Sequence, residues 1–354
     1  MRAIVYDNFG ERPRIRAVPE PKIAPHAALI EVTATGVCRS DWHAWQGHDP
    51  DVSLPNVGGH EFAGVVVEVG AQVRGWRPGQ RVTASFIGSC GQCPQCAAGA
   101  RQVCENQRQP GFTYWGSFAD LVVVDQADVN LVLLPDSLDF ATAATLGCRF
   151  ATAFRAVLRQ GRVAAGDWVA VHGCGGAGLS AVMIAVAAGA RVIAVDVSPA
   201  ALELARELGA EEVVDASIAQ TTAKEDPGAI GTVVSDLAGG GVRLSLDCLG
   251  SPQTCAASVL SLARRGRHVQ VGLLPAGPTP IPMDRVVAFE LQILGSHGLA
   301  AHDYPAMLGL IEAGRLRPQE LIRRRIGLDG IPDALAEMSS ATPATPGVTV
   351  ALPR

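Results

Sequence analysis

The sequence predicts a doubly wound α/β domain inserted into a β-rich domain. The chain has 354 residues, which is too long for one ordinary hydrophobic core. Residues 1 to about 147 carry short apolar runs broken by Gly and Pro, whereas residues 150–296 alternate apolar strands with helical segments. We therefore expect one domain from residues 1–149 and 297–354, and a second from residues 150–296.

The first part is predicted to be barrel-like and rich in strands. Several of its apolar runs alternate apolar with polar residues, as half-buried strands do. The runs are AIVY, ALIEVTATGV, EFAGVVVEVG, QRVTASF and FADLVVVD, and GVTVALP closes the chain.

The inserted part is predicted to be a parallel sheet flanked by helices. It opens with the helical spacing of ATLGCRFATAFRAVL, followed by the strand DWVAVHG, a Gly-rich turn and the helix LSAVMIAVAAGA. After the strand RVIAVD, Ser198 is the expected N-cap of a helix with Pro199 at its first position. The remaining strands are RLSLDCL, RHVQVGL and LQILGS. Strands alternating with helices at this spacing favour parallel pairing.

Composition excludes several classes of protein. The net charge is −5, 18% of residues are charged, and no basic run is present, which disfavours nucleic acid and membrane surfaces as partners. The N-terminus lacks the apolar core of a signal peptide, and we expect a cytoplasmic protein. Nine cysteines in such a chain indicate metal or catalytic use for some of them rather than a disulfide framework.

The stretch VHGCGGAG has the spacing of a dinucleotide-binding turn. Gly173, Gly175 and Gly178 follow a predicted strand and open a helix, and Asp196 ends the next strand. Asp196 can bind ribose hydroxyls but would repel a 2′-phosphate, and no Arg follows it in DVSPAA, so NAD is favoured over NADP. The alternative is an ordinary βα turn whose glycines serve packing.

A four-cysteine cluster indicates a structural metal site. Its members are Cys90, Cys93, Cys96 and Cys104. Four thiolates fill a tetrahedral shell, which makes zinc the expected ion and leaves no open position for substrate. An iron–sulfur cluster, free thiols and a nucleic-acid-binding zinc ribbon are the alternatives. The acidic charge and the lack of flanking basic clusters weigh against the last of these.

Cys38, in GVCRSDWHAWQG, is by itself compatible with a nucleophile, a metal ligand or a small core residue. Two further stretches supply partners for a metal site: GGHEFAG with His60 and Glu61, and TLGCRFATAF with Cys148. With the dinucleotide turn and the four-cysteine cluster, the chain resembles the zinc-dependent alcohol dehydrogenases of the medium-chain dehydrogenase/reductase family. The resemblance extends nearly end to end and includes at least four motifs in the same order.

The resemblance implies a Rossmann domain inserted in a GroES-like catalytic domain, with two Zn²⁺ ions per chain. Cys38, His60 and Cys148 would bind the catalytic zinc, with Glu61 as a possible fourth ligand or a buffer of charge. The implied reaction is reversible oxidation of primary or secondary alcohols to aldehydes or ketones, with hydride transfer to NAD. Polyol dehydrogenases of the same family are the nearest alternative, although they often have Glu where this chain has Cys148.

The resemblance also assigns roles in CRSDWH. Arg39 would contact the cofactor pyrophosphate, and Ser40 and His43 would carry the alcohol proton to the surface. Asp41 would orient His60. His43 could instead be only a ribose contact or a surface histidine, and Asp41 only a helix cap. The other predicted cofactor contacts are Thr152, Gly176, Ala177, Gly272 and Leu273.

Two departures from the family pattern concern cofactor affinity. Ala201 stands where many members have Lys, and Val348 stands where many bacterial members have Arg. Candidate walls of an apolar substrate pocket are Phe86, Trp45 and Trp115, with core packing or a subunit contact as the alternative for the tryptophans. Family analogy also implies a homo-oligomer, with a tetramer favoured over a dimer.

Overall fold

The computed structural model describes residues 1–217, 227–339 and 346–353. They form two compact units. The first contains residues 1–151, 298–339 and 348–353, and the second contains residues 152–217, 227–297 and 346–347. The main divisions thus fall at 151/152 and 297/298, compared with 149/150 and 296/297 in the sequence prediction.

Residues 1–151 form short strands joined by turns and short helices. The strands are β1 (Arg2–Tyr6), β2 (Arg14–Ala17), β3 (Ala28–Val37), β4 (Asn56–Val57), β5 (Glu61–Val69), β6 (Arg81–Ala84), β7 (Leu121–Val124) and β8 (Leu131–Leu133). The helices are α1 (Arg39–Trp45), α2 (Pro94–Ala97), α3 (Ala127–Asn130) and α4 (Phe140–Ala144), with a 3₁₀ turn at Arg101–Val103. The helical segment after α4 continues past residue 151 into the second unit. It has π turns at Leu146–Phe150 and Arg155–Gln160 on either side of α5 (Ala151–Phe154).

The second unit alternates strands with helices, as the sequence predicts. The strands are β9 (Trp168–His172), β10 (Arg191–Asp196), β11 (Glu212–Asp215), β12 (Val242–Asp247), β13 (Leu262–Gln270) and β14 (Gln292–Gly295). The helices are α6 (Gly176–Ala187), α7 (Pro199–Glu207), α8 (Pro227–Leu237), α9 (Pro252–Leu260) and α10 (Met283–Phe289). The predicted cap of α7 is confirmed, because the hydroxyl oxygen of Ser198 accepts from the backbone N–H of Ala201 at 3.3 Å.

The C-terminal part returns to the first unit. Its elements are α11 (Tyr304–Glu312), β15 (Ile322–Gly327), α12 (Ile331–Glu337) and β16 (Val348–Leu352), with 3₁₀ turns at Ala301–Asp303, Pro318–Leu321 and Leu328–Gly330.

Strand pairing in the first unit brings distant metal-ligand candidates together. One sheet has the order β2-β1-β4, and the larger sheet has the order β15-β16-β3-β5-β6-β8, with β7 also pairing with β3. β3 and β5 are antiparallel, and their register sets Gly36 opposite Glu61. Because Cys38 follows β3 and His60 precedes β5, this register places the two residues side by side.

The second unit is a doubly wound parallel sheet, which confirms the predicted fold class. Its strand order is β11-β10-β9-β12-β13-β14, and the neighbouring strands pair in parallel. The order reverses beside β9, and ligands of such sheets bind in the crevice outside the carboxyl ends of the strands at this reversal. The Gly-rich turn that begins at Gly173 directly follows β9. Among the helices of the described ranges, none is long and apolar enough to span a membrane.

Candidate metal and cofactor sites

Three side chains in the first unit form a cluster of metal-ligand type. Cys38, His60 and Cys148 each offer one ligand atom, and these atoms all lie within 4.8 Å of one another. Cys38 and His60 are buried, and Cys148 is half-buried. Two thiolates and one imidazole around one point are a typical donor set for a catalytic zinc with an open fourth position.

The orientation of His60 supports a metal at this cluster. Its Nδ1 contacts the Asp41 carboxylate at 2.8 Å, which fixes the ring. Its Nε2 is buried and has no hydrogen-bond partner among the residues that the structure describes. A buried polar nitrogen without a partner is costly, and a cation bound by the two neighbouring sulfurs would satisfy it. The residues present therefore fit zinc.

The electrostatics of the cluster also favour a cation. The pKa of Cys38 lies well below its ordinary value, because the Cys148 thiol donates to its sulfur and because Arg149 and His60 add positive charge. Burial alone would lower the pKa of His60, but Asp41 and Cys38 raise it well above its usual range. Since a thiolate and a neutral imidazole are the ligand forms, metal binding at this cluster must release protons.

A second cluster in the same unit consists of the four predicted cysteines. Cys90, Cys93, Cys96 and Cys104 also place their sulfurs within 4.8 Å of one another. The sulfurs of Cys93 and Cys104 are 3.8 Å apart, close to the separation of about 3.8 Å that Zn–S bonds of about 2.3 Å give in a tetrahedron. The backbone N–H groups of Gln92 and Cys93 donate to the Cys90 sulfur and lower its pKa to about 6. A closed four-thiolate site is structural in character.

The Gly-rich turn of the second unit has the shape that a dinucleotide requires. A Cβ added at Gly175 would meet no atom within 4 Å, so the backbone there is open to a ligand. At Gly178, by contrast, a Cβ would lie 1.8 Å from the Gly173 carbonyl oxygen, so only glycine allows this close packing of helix on strand. Gly175 is the N-cap residue of α6, with Gly176 and Ala177 in the first turn, where free N–H groups attract phosphate.

Asp196 is held rigidly at the carboxyl end of β10. Its Oδ2 accepts from the backbone N–H of Cys174 at 2.6 Å, and its Oδ1 accepts from that of Ser198 at 2.8 Å. Within the described ranges, no ion pair neutralises this carboxylate. Its charge therefore remains available to attract ribose hydroxyls and to repel an additional phosphate.

Comparisons with known proteins identify the family of the chain. Residues 24–136 match the alcohol dehydrogenase GroES-like domain, and residues 176–313 match the zinc-binding dehydrogenase family. An alcohol dehydrogenase from Geobacillus stearothermophilus is 35% identical over 301 residues, which cover 84% of each protein. The chain belongs to the zinc-dependent alcohol dehydrogenases of the medium-chain dehydrogenase/reductase family.

Solved structures of similar proteins span the whole chain. The alcohol dehydrogenase TADH from Thermus sp. ATN1 is 31% identical, with a TM-score of 0.89 and coverage of 100% of both chains. A zinc-binding dehydrogenase from Sinorhizobium meliloti 1021, solved with bound NADP, is 32% identical, with a TM-score of 0.86 and coverage of 99% of both chains. The predicted membership of this alcohol dehydrogenase family is thus confirmed, together with the Rossmann and GroES-like domains.

Asp41 has both of the roles considered from the sequence. Cys38 is the N-cap residue of α1, and its backbone N–H donates to Asp41 Oδ2 at 2.8 Å, as in a capping box. Asp41 Oδ1 accepts from Gly59 N–H at 3.1 Å and contacts His60 Nδ1. One carboxylate therefore starts the helix and orients the imidazole.

The remaining polar residues of α1 lie near the cluster or at the surface. The Ser40 hydroxyl is 3.8 Å from the Cys38 sulfur. His43 lies one turn further along and contacts His48 through their Nδ1 atoms at 3.0 Å. Burial, His48 and Arg39 lower the pKa of His43. Arg39 is exposed, stacks over Trp42 at 4.7 Å and donates to the Met338 carbonyl, so its predicted pyrophosphate contact stays a prediction.

Glu61 is bound by an arginine that the sequence prediction did not include. The guanidinium of Arg149 contacts both Glu61 carboxylate oxygens, and Arg149 backbone N–H donates to Oε1 at 2.9 Å. Glu61 is not among the three residues that form the ligand cluster. The position of Arg149 directly after Cys148 was the available sequence signal, but spacing does not reveal the direction of its side chain.

Two aromatic rings flank His60. Phe86, a predicted pocket residue, has its ring centroid 6.1 Å from that of His60, and the centroid of Phe112 is at 5.4 Å. Both rings meet the imidazole edge to face. Phe112 was not predicted, because nothing in its local sequence distinguishes it from a core residue.

The two tryptophans predicted as pocket walls lie in the core and at a surface groove. Trp45 is buried in the core of the first unit, and its indole N–H donates to the Glu11 carbonyl at 2.6 Å. Trp115 lines a surface groove of about 300 Å³ with Met1, Lys22 and Arg108, and none of the residues of the ligand cluster lines that groove. Core packing, the alternative considered from the sequence, accounts for Trp45.

The other predicted cofactor residues lie in the second unit. Leu273 is 65% exposed just beyond β13, next to Gly272. Leu249, which was not predicted, is 60% exposed beyond β12 and packs against the backbone of Gly173. Large apolar side chains exposed at the carboxyl ends of parallel strands are suited to cofactor contact. Thr152 is nearly buried in α5, where its carbonyl accepts from Ser296.

The two departures from the family pattern are buried apolar positions. Ala201 is buried in α7, and Val348 is buried in β16. Neither position contributes a charge for cofactor phosphate.

Proposed function

We propose that the protein is an NAD-dependent alcohol dehydrogenase with two zinc ions per chain, one catalytic and one structural. It oxidises primary or secondary alcohols reversibly to aldehydes or ketones. The observation that carries this proposal is the unsatisfied Nε2 of His60, directed into a cluster completed by Cys38 and Cys148. The four-cysteine cluster supports the second ion.

The chemistry combines two bound groups with residues of the chain. When bound, zinc makes the hydroxyl of an alcohol more acidic, and NAD accepts hydride from the alcohol carbon. The thiolates of Cys38 and Cys148 neutralise the cation, and His60 completes the protein ligands. Ser40 would accept the alcohol proton while its own hydroxyl proton moves on toward His43, which would release a proton to solvent. Their positions one turn apart on α1 favour this role, because residues three apart share a helix face.

NAD is the proposed cofactor because of Asp196. Its fixed carboxylate would lie unfavourably close to a 2′-phosphate, and the following residues, Val197 to Ala200, contain no Arg. The NADP bound to the related Sinorhizobium meliloti dehydrogenase makes a direct comparison of the two cofactors necessary.

Apolar alcohols are the proposed substrates. Phe86 and Phe112 beside His60 would favour medium-chain aliphatic or benzylic alcohols over polyols, which need polar partners for several hydroxyls. Cys148 in the third ligand position also favours an alcohol dehydrogenase over a polyol dehydrogenase. A homotetramer and a cytoplasmic location stay predictions from the sequence.

The test combines metal analysis with a substrate panel. We expect two zinc ions per chain, and production of NADH with benzylic and medium-chain alcohols at higher kcat/KM than with polyols or with NADP. Cys38→Ser should lose one zinc and turnover, whereas Cys255→Ser, outside both clusters, should keep both ions. Two results together would contradict the proposal. Cys38→Ser would keep every zinc ion that the unsubstituted protein binds, and the unsubstituted protein would not turn over alcohols.

A further inference from the structure

Arg149 connects the three chain segments that carry the ligand cluster. It directly follows Cys148, its guanidinium binds the residue that directly follows His60, and its Nη1 donates to the carbonyl of Val37, which directly precedes Cys38, at 3.1 Å. One side chain therefore contacts the neighbours of the two other ligands. The Arg149 side chain is 9% exposed and that of Glu61 is fully buried.

The interaction with Glu61 uses both carboxylate oxygens. Oε1 accepts from the backbone N–H of Arg149 at 2.9 Å and from its Nε at 3.1 Å, and Oε2 accepts from its Nη2. A bidentate guanidinium–carboxylate pair fixes direction as well as charge. With its two oxygens engaged on Arg149, Glu61 is held in a conformation outside the ligand cluster.

Gly36 supplies the space in which the pair lies. A Cβ at Gly36 would be 2.4 Å from Glu61 Oε2 and 2.9 Å from Arg149 Nη2. Gly36 lies opposite Glu61 in the β3–β5 register. A side chain here would therefore collide with the ion pair itself, which offers a way to disturb the pair without changing either charge.

We propose that Arg149 is a positioning residue that keeps the Glu61 carboxylate off the catalytic metal and leaves the fourth coordination position open to exogenous ligands. This inference rests on the zinc site proposed above. Without Arg149, the buried Glu61 carboxylate loses its ion-pair partner. Coordination of the nearby divalent cation would then be the most favourable way to compensate its charge. The carboxylate would then compete with substrate for the open position.

Cobalt-substituted protein provides a readout that does not depend on turnover. Imidazole binding to the open position is followed through the visible absorption of Co²⁺. In Arg149→Met we expect a changed cobalt spectrum before imidazole is added and an affinity for imidazole at least about tenfold weaker, as expected when a group supporting a metal site is lost. Arg149→Met combined with Glu61→Gln should restore tight imidazole binding, because the competing carboxylate is gone.

Further variants separate this effect from general loss of structure. Arg81→Met removes another arginine of the first unit, and this variant should titrate like the unsubstituted protein. Arg81 donates to the carbonyls of Pro135, Asp136 and Leu138, lies 3.8 Å from an Asp136 carboxylate oxygen and contacts the Phe140 ring. Gly36→Ala should weaken imidazole binding while both charges remain. If Arg149→Met does not fold, Arg149→Lys takes its place. Lysine keeps the positive charge but lacks the guanidinium that binds both carboxylate oxygens, so we expect the same changes in cobalt spectrum and imidazole affinity, to a smaller degree.

The outcomes distinguish this inference from the proposed function. Unchanged cobalt spectra and imidazole affinities in Arg149→Met (or Arg149→Lys) and Gly36→Ala would overturn the role of Arg149. Weakened binding that Glu61→Gln does not restore would also overturn it, because the carboxylate would not be the competitor. If the unsubstituted protein bound no cobalt at Cys38, His60 and Cys148, the zinc site itself would be refuted.

Discussion

Asp41 Oδ1 lies 2.8 Å from His60 Nδ1, and its Oδ2 accepts from the backbone N–H of Cys38 at 2.8 Å. A single buried carboxylate thus fixes the ring of one predicted zinc ligand and the backbone of another. It also couples the start of α1 to the end of the loop before β5. The orientation of the metal site consequently depends on a residue that is not itself a ligand.

Asp41→Asn tests this dependence. The asparagine amide has one oxygen that can replace part of the carboxylate's contacts, and the substitution removes the negative charge. We therefore expect zinc affinity to fall about 10- to 100-fold. Competition with a chromophoric chelator measures the affinity. Asp128→Asn is a matched control in the same unit, because Asp128 accepts from two backbone N–H groups, of Arg74 and Gly75, and belongs to neither ligand cluster. Equal zinc affinity in both variants would contradict the role of Asp41.

Asp196→Asn is expected to reduce discrimination against NADP. Removing the carboxylate's charge removes its repulsion of a 2′-phosphate, and we expect the ratio of kcat/KM for NAD to that for NADP to fall about tenfold, or about 1.4 kcal/mol. Asp167→Asn controls for loss of a turn contact, since Asp167 accepts from Ala164 N–H just before β9. It lies at the amino ends of the parallel strands, whereas Asp196 lies at a carboxyl end. An unchanged cofactor ratio in Asp196→Asn would show that this carboxylate does not select the cofactor.

Local patterns in the sequence predicted the parts of the molecule that local geometry determines. The spacing of Gly173, Gly175 and Gly178 reflects a close approach of helix to strand, and the observed contact at Gly178 has this cause. The α7 cap at Ser198 and the four-cysteine cluster are likewise encoded within a few residues. Cys38, His60 and Cys148 are distant in sequence, since the first and last are 110 positions apart. Their meeting in one cluster could be predicted only from the family resemblance.

Side-chain direction was the part that the sequence could not predict. Arg149 and Glu61 are 88 positions apart, and their contact depends on the folded positions of β5 and the helix after α4. Trp45 was expected in a pocket, but its N–H finds the Glu11 carbonyl and its ring joins the core. An aromatic residue packs equally well in a core or in the wall of a pocket, so residue type alone does not distinguish these two locations.

Phe86→Ala tests the proposed apolar pocket. Loss of the ring beside His60 should lower kcat/KM for benzyl alcohol about tenfold or more, with a smaller effect on ethanol, because burial of the larger substrate loses more apolar contact. The ratio between the two substrates is the measured quantity, so a uniform loss from misfolding cancels. Trp45→Phe should leave this ratio unchanged, since Trp45 lies in the core. An unaltered ratio in Phe86→Ala would exclude Phe86 from the substrate site.

His172 is expected to make the second unit sensitive to acid. It ends β9, and within the described part of the chain its Nε2 has no hydrogen-bond partner. Burial, and to a smaller extent repulsion from His268, lowers its pKa to about 3. In the unfolded chain a histidine has a pKa of about 6.5. Between these values the unfolded state binds a proton that the folded state does not, so the free energy of unfolding falls as pH falls, by about 1.4 kcal/mol per pH unit.

His172→Phe should remove this proton from the difference in bound protons between the unfolded and folded states. Urea unfolding of the zinc-loaded protein should then depend less steeply on pH. The difference should grow from about a quarter of a proton at pH 7 to nearly one proton at pH 5, whatever constant change in stability the larger ring causes. Protonation of the zinc-binding thiolates affects both proteins equally and cancels in their difference. His302→Phe, at an exposed position of the first unit, should keep the original slope. Parallel pH dependences of His172→Phe and the unsubstituted protein would show that His172 is protonated in the folded state.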